Sequence, residues 1–258
     1  MYSNESQNNL RLSISNFARS HSWTIGQYTQ AQSQYNYWKT LWSSQFKKIS
    51  PEAQLSSDNF MRQKEIYSLH IDHTPIALVA LDIFNLQTDY GRDHSYFNEI
   101  PEDIFQILNQ KKISKCITLN QLLVSQMWFN DLRVVDLITG VIVHRLYTSN
   151  IDWGICYTRN IGKVNKLALR WGGESIKSGF YVHNEPSDFV VFPKNSFLKA
   201  EMPEEKKIIT QLWDEYLSLE QPNSKLNSEL GWNTNHYKEL ITKKGDKYEL
   251  NTQCENSL

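Results

Sequence analysis

The sequence predicts an α+β (mixed α/β) fold: a central mixed sheet of about seven strands flanked by helices, with a C-terminal helical extension. Three observations predict it. Apolar runs of strand length alternate with segments of helical period through the middle of the chain. Hairpin signatures bracket that alternation. A chain of 258 residues, 40% hydrophobic and 12% aromatic, is large enough to bury one sizeable core. The pattern divides the chain into a polar N-terminal arm over 1–21, a principal domain over 22–193, and a C-terminal helix with a polar tail over 194–258.

The arm, MYSNESQNNLRLSISNFARSH, is rich in Ser and Asn and is assigned no fixed structure, although Leu10, Leu12, Ile14 and Phe17 can dock on a neighbouring surface. A short strand is expected over 21–28. A helix follows to about residue 49, where Tyr35, Trp38, Leu41, Trp42 and Phe46 recur at helical spacing and form a core face. Pro51 opens a second helix, PEAQLSSDNFMRQK. EIYSLHI, the turn Asp72-His73-Thr74-Pro75 and IALVALDIF then read as a hairpin.

NLQTDYGRDHSYFNEIP is a polar and aromatic loop, PEDIFQILNQ a short helix, and KCITLNQLLVSQMWF a long strand candidate. Asn120 and Gln121 interrupt that apolar run, so at least one must face a cleft or find a buried partner. Asp131 can cap the next helix, LRVVDLITGVIVHRLYTSN, whose apolar residues form a broad buried face. A strand over 151–158 runs through Thr158-Arg159-Asn160 into a helix over 161–171 that stops at Gly172-Gly173. This junction places free backbone N–H donors beside a strand end. SIKSGFYV, a turn from His183 to Ser187, and DFVVF complete the sheet, with Pro193 closing the last strand. PEEKKIITQLWDEYLSLE is an amphipathic helix, and 221–258 a polar, Asn-rich tail, either mobile or docked on a partner.

Composition disfavours several functions. With 27 basic and 28 acidic residues, the chain has no global field to recruit nucleic acid or an anionic membrane. No apolar segment approaches the roughly 20 residues of a membrane helix, and the start lacks a secretory pattern. Cys116, Cys156 and Cys254 lack metal-ligand spacing, and the first two sit in apolar runs as packing thiols, so no metal and a reduced, cytoplasmic setting are expected.

The order of elements over about 22–193 resembles the GNAT superfamily of N-acyltransferases. The runs VVDLITGVIVHRLY and DWGICYTRNIGKVNKLALRWGG are most similar to its N-acyl amino acid synthase-like subgroup. The resemblance implies an acyl thioester donor, carried on coenzyme A or on the phosphopantetheine of an acyl-carrier protein, and a small-molecule amine acceptor. It implies two parallel strands that splay and bind the pantetheine arm through unpaired backbone groups. Leu122, Leu123 and Val124 then lie on the first splayed strand and offer the oxyanion N–H. Residues 128–135 form the pyrophosphate turn, with Arg133 and Val134 at the helix start. Asn160 either caps the helix or bonds a pantetheine amide.

Two departures stand out. WFNDLRVVD contains no glycine where the family carries a Gln/Arg-x-x-Gly-x-Gly/Ala loop, and Ala168 occupies the position of the family's leaving-group tyrosine. Tyr157, on the second splayed strand, is the substitute proton donor. His94, flanked by Asp93, Tyr96 and Glu99, is the first candidate base, because imidazole titrates near neutrality and the resemblance places this loop beside the acceptor pocket. Glu99 is the alternative. His73 and His183 belong to turns, and His144 to a buried helix as a satisfied core residue. Ile83, Phe84 and Phe97 form an apolar wall suited to an acyl chain longer than acetyl. The leading reading is an N-acyltransferase. The alternatives are a catalytically degenerate binding or scaffold protein of the same fold, and a thioester enzyme with altered chemistry.

Overall fold

Seven strands form one sheet in the order β1-β2-β3-β4-β5-β7-β6 in the computed structural model, which describes residues 10–49, 56–129, 132–160, 163–182 and 184–220. In chain order, β1 (Leu10–Asn16) leads through a 3-10 turn to α1 (Ile25–Ile49), α2 (Asp58–Met61) and the hairpin β2 (Glu65–Ile71) with β3 (Thr74–Asn85). Next come α3 (Asp89–Arg92), α4 (Glu102–Gln110), β4 (Lys115–Val124), α5 (Gln126–Phe129), α6 (Leu132–Thr148), β5 (Trp153–Arg159) and α7 (Val164–Arg170). β6 (Glu174–Val182), β7 (Glu185–Pro193), α8 (Ser196–Lys199) and α9 (Pro203–Glu220) finish the described chain. Every neighbouring pair is antiparallel except β4 with β5, which are parallel and joined through α6. The expected seven-stranded mixed sheet is therefore present.

Period-2 alternation sends each strand's apolar residues to both faces, and helices cover each face. On one face α6 lays Leu137, Ile138, Val141 and Ile142 against Leu69, Val79, Leu81 and Ile117. On the other, Trp38 of α1 and Phe60 of α2 pack on Ile66, Leu78, Ala80 and Leu123. On that second face also, Ile104 and Leu108 of α4 join Phe97 over Phe84, Cys116 and Ile155.

Two expectations need correction. The arm left without fixed structure supplies an edge strand: β1 pairs with β2 along its full length and buries Leu10 and Leu12. The strand expected over 21–28 is instead a 3-10 turn, Phe17–Ser22, followed by the start of α1. Thr24 and Gln27 decide that start. Gln27 N–H donates to Thr24 Oγ1 at 3.3 Å and Thr24 N–H to Gln27 Oε1 at 2.8 Å, a reciprocal capping box. The expected C-terminal helix is present as α9, and its Ile209, Leu212 and Trp213 are buried in the same core as α6.

The second helix is shorter than expected, four residues in α2, and its predicted start at Pro51 lies outside the described residues, as do Asp131, His183, Cys254 and the 221–258 tail. Gly172, at φ 81°, ends the turn after α7, where Gly173 N–H reaches Ala168 O at 3.0 Å.

Candidate functional site

β4 and β5 run side by side for three residue pairs only, Cys116 with Trp153, Ile117 with Gly154 and Thr118 with Ile155. Beyond that, β4 continues to Val124 along β3 and β5 continues to Arg159 along β7. The two strands part, and each keeps an edge without a strand partner from there on.

A β-bulge sits where they part. Ala80 opposes Asn120 but Leu78 opposes Leu123, so two residues of β4, Gln121 and Leu122, face Val79 alone. Gln121 takes the left-handed conformation, φ 52°. Its side chain holds it there: Oε1 accepts the Trp38 indole N–H and Nε2 donates to Asn59 O at 3.3 Å. The bulge resets the phase of the ladder. Leu86 N–H donates to Ser114 O at 2.7 Å and Ser125 N–H to Ile76 O at 3.1 Å, at opposite ends of the β3–β4 pair. Counting back from Ser125 in steps of two, Leu123 turns its amide to β3, whereas Leu122 and Val124 turn theirs to the open edge. The side chains of Leu122 and Val124 pack toward α6, and Leu123 is buried on the α1 face.

The α1 face of the gap is polar. Asp82 of β3 is 6% exposed; its Oδ1 accepts Ile83 N–H at 2.8 Å. Burial pushes the Asp82 carboxyl above the usual range, against the lowering charges of Lys64, His94 and Arg62. Thr118, fully buried, accepts Asp82 N–H at 3.2 Å, and Asn120 Nδ2 donates to Thr118 Oγ1 at 2.9 Å and to Gln63 Oε1 at 3.3 Å. Arg62, at the C-cap of α2, reaches Ser95 Oγ at 3.3 Å.

The catalytic residues expected from the sequence meet on this same face. The His94 ring lies 4.6 Å from Phe84, Phe84 stacks on Tyr96 at 6.0 Å, and Tyr96 lies 5.0 Å from Tyr157. Burial pushes the Tyr157 hydroxyl up to about 12, and the Glu99 charge adds to that shift. His94 is lowered by burial, then pulled back by the Asp82 charge. Its Nδ1 accepts Tyr96 N–H at 3.2 Å, so the neutral ring carries its proton on Nε2 and presents a donor there, not a lone pair. Asp82 was missed by sequence reasoning. A lone acid inside IALVALDIF was the signal available.

The other expected residues separate. Val134 of α6 is buried in the core, and Arg133 is half-buried one residue before it. Asn160 does not cap α7, whose N-cap is Lys163. Its Nδ2 donates to Asp188 Oδ1 at 3.1 Å, Asn165 donates to Asp188 Oδ2 at 3.1 Å, and Asn160 Oδ1 is left without a donor. Burial raises the Asp188 carboxyl, but the bonds from Asn165, Asn160 and Gly179 outweigh it and hold the group below its ordinary value. Ile83 faces the α6 side, so the apolar wall consists of Phe84 and Phe97. His144 is a core residue as expected, but its Nδ1 has no partner. Cys116 and Cys156 are free and buried, with burial pushing both thiols up to about 12, far from nucleophilic. Among the described residues no cluster of His, Cys, Asp or Glu is arranged to hold a metal, and no helix is long and apolar enough to cross a membrane.

No protein-family model matches the sequence, and no curated protein matches it. The fold is similar to that of FeeM, an N-acyl amino acid synthase from uncultured soil microbes, with a TM-score of 0.50 and 9% identity over 76% of this chain and 97% of that one. It is similar also to the AHL synthase LasI, with a TM-score of 0.50 and 10% identity over 75% of this chain and 96% of that one. The chain has the GNAT fold.

Proposed function

We propose that this GNAT-fold chain is an N-acyltransferase that moves an acyl group from a phosphopantetheine thioester, on coenzyme A or an acyl-carrier protein, to the amine of a small molecule. One observation carries the reading: β4 and β5 part after three residue pairs, and the bulge turns the amides of Leu122 and Val124 into the opening. A pantetheine arm adds to such an edge as a short extra strand. The same amides are donors for the oxyanion formed when the amine nitrogen attacks the thioester carbonyl.

The acceptor enters from the α1 face. There Asp82, its basicity raised by burial, takes the proton of the attacking amine. His94 presents its Nε2–H beside it, and Glu99, near Tyr157, is the second acid able to accept. The C–N bond forms, the C–S bond breaks, and Tyr157, which keeps its proton at neutral pH, supplies it to the leaving thiolate. Phe84 and Phe97 wall the acyl chain. Asn160 has Oδ1 left to accept a pantetheine N–H, and Arg133 stands at the start of α6 where a phosphate would lie. The glycine-free turn favours a carrier-protein donor, whose arm carries one phosphate and needs no close backbone approach to a diphosphate.

Thermal melts with decanoyl-coenzyme A and with decanoyl-carrier protein, and thiol release with and without a panel of amines, test this. A raised melting temperature with at least one donor, and thiol release that depends on amine, are expected. No shift with either donor removes the reading. Ala168 and the glycine-free turn favour the scaffold alternative, which predicts donor binding without thiol release. Thiol release that ignores the amine marks hydrolysis or another altered chemistry.

A further inference from the structure

A cavity of about 320 Å³ lies away from the gap, on the α6 side of the β1–β2 edge. Small-molecule sites begin at about this size. Glu65 and Tyr67 of β2 line it together with Arg145 of α6 and Trp213 of α9, and Arg19 and Trp23, from the segment before α1, complete the wall.

Its charge is defined by three groups. Arg145 Nε lies 3.0 Å from Glu65 Oε2 and 3.0 Å from the Tyr67 hydroxyl, and its Nη2 lies 3.1 Å from Glu65 Oε1. Burial opposes ionisation of Glu65, but the bonds from Arg145 and Tyr67 and the charges of Arg145 and Arg19 outweigh it and keep the carboxyl below its ordinary value. The pair cancels. Arg19 contributes a charge interaction to Glu65, and the bonds of Arg145 engage Nε and Nη2, which leaves the Nη1 end of its five-donor guanidinium uncommitted. The cavity carries one surplus positive charge.

Its walls are aromatic. Trp213 stacks on Tyr67 with centroids 5.9 Å apart and planes 16° from parallel, and Trp23 is held edge-on by Phe17 at 5.0 Å. Such surfaces take flat apolar groups. We propose that this cavity is a second ligand site, for a small monoanionic carboxylate with a flat apolar body, its carboxylate between Arg19 and Arg145 and its body along Trp23 and Trp213. A dianion would leave one charge unmatched beside Glu65. The site is independent of acyl transfer, because none of its residues borders the β4–β5 gap.

Titration of the full chain with 2-naphthoate, followed by calorimetry, tests it, with 2-naphthamide as the uncharged isostere. Saturable binding that weakens as salt rises is expected, about tenfold weaker or worse for the amide and for Arg19→Gln. Ser22→Trp, at the exposed rim, should abolish it by filling the cavity. Arg19 and Ser22 are exposed, and a far-ultraviolet dichroism spectrum matching that of the unsubstituted chain confirms that each variant is folded. Equal affinity for the amide, an unchanged dissociation constant in Arg19→Gln, retained binding in Ser22→Trp, or no saturable binding of 2-naphthoate overturns the proposal.

Discussion

In the proposed reaction, Asp82 and His94 divide between them the work that one histidine was expected to do. A base needs a free lone pair near neutrality, and His94 has given its Nδ1 to a backbone amide. Asp82→Asn should therefore lower kcat/KM by about 100-fold or more, with the melting temperature little changed. It should also remove the rising limb of the pH–rate profile, which lies above the ordinary carboxylate range because burial raises Asp82. His94→Ala should cost less than Asp82→Asn in the same assay; the reverse order would return the base to the histidine. His144 carries a separate prediction. Burial lowers it to about 4 from 6.5, with the Asp214 charge opposing, so the unfolded chain binds its proton over that window and the folded chain does not. Stability from this group is complete above pH 6.5 and is lost as pH falls toward about 4. In His144→Leu, urea melts should show a pH slope in this window smaller by about 1.4 kcal/mol per pH unit. His70, also lowered to about 4 by burial, is unaffected by that change, and Glu215, raised to about 7 by burial, acts in the opposite direction in both proteins. The residues of the proposed site were legible in part: His94, Glu99 and Tyr157 stood out as polar or titratable groups, whereas Asp82 was hidden in a run that read as a buried strand.

At the scale of elements, the bulge in β4 sets the geometry of the opening, and proline separates its two kinds of amide. Leu123→Pro removes a donor to β3 and should destabilise by about 3 kcal/mol or more. Val124→Pro removes an amide that faces the gap, so it should abolish the donor-induced rise in melting temperature while lowering stability less than Leu123→Pro. Equal destabilisation by the two prolines, measured by thermal melts, would place the Val124 amide in the ladder and not in the opening. At the start of α1, Thr24→Ala removes the Oγ1 acceptor of the Gln27 N–H, leaves the Thr24 N–H bond to Gln27 Oε1, and should cost about 1 kcal/mol in a urea melt. The hairpin, α4, α6 and β5 were readable because their apolar period and their turn or cap chemistry agree. The start of α1 was not read, although Thr24 and Gln27 carry its signal at the required spacing. β1 was not readable for another reason. Its face toward α1 is built from Ser13, Ser68, His70 and Gln34, with Ser13 Oγ 2.7 Å from His70 Nε2 and Gln34 Nε2 donating to Ser68 Oγ at 2.7 Å. A strand whose buried partners are hydroxyls looks like a polar arm until those partners are in place.

For the whole molecule, the C-terminal helix belongs to the core that holds the sheet. A Cβ at Gly140 of α6 would collide with the Trp171 ring and with Ile209 of α9, so these elements meet at closest approach. A chain cut after residue 193 should lose its cooperative thermal transition, and Leu212→Ala, at 1% exposure, should cost about 2–5 kcal/mol by urea melt. A truncated chain that melts cooperatively would restore the boundary expected at 194. By itself the sequence determined the central architecture from β2 to β7, because apolar period, turn residues and the glycine stop after α7 are local properties written in consecutive positions. It also pointed to the pair of strands that part. The tertiary structure alone decided that β1 and α9 complete the fold, that a bulge aims the amides of Leu122 and Val124, and that Asp82 meets His94 and Tyr157 on one face. Those are relations between residues far apart in the chain, and only the folded chain brings their groups within reach of one another.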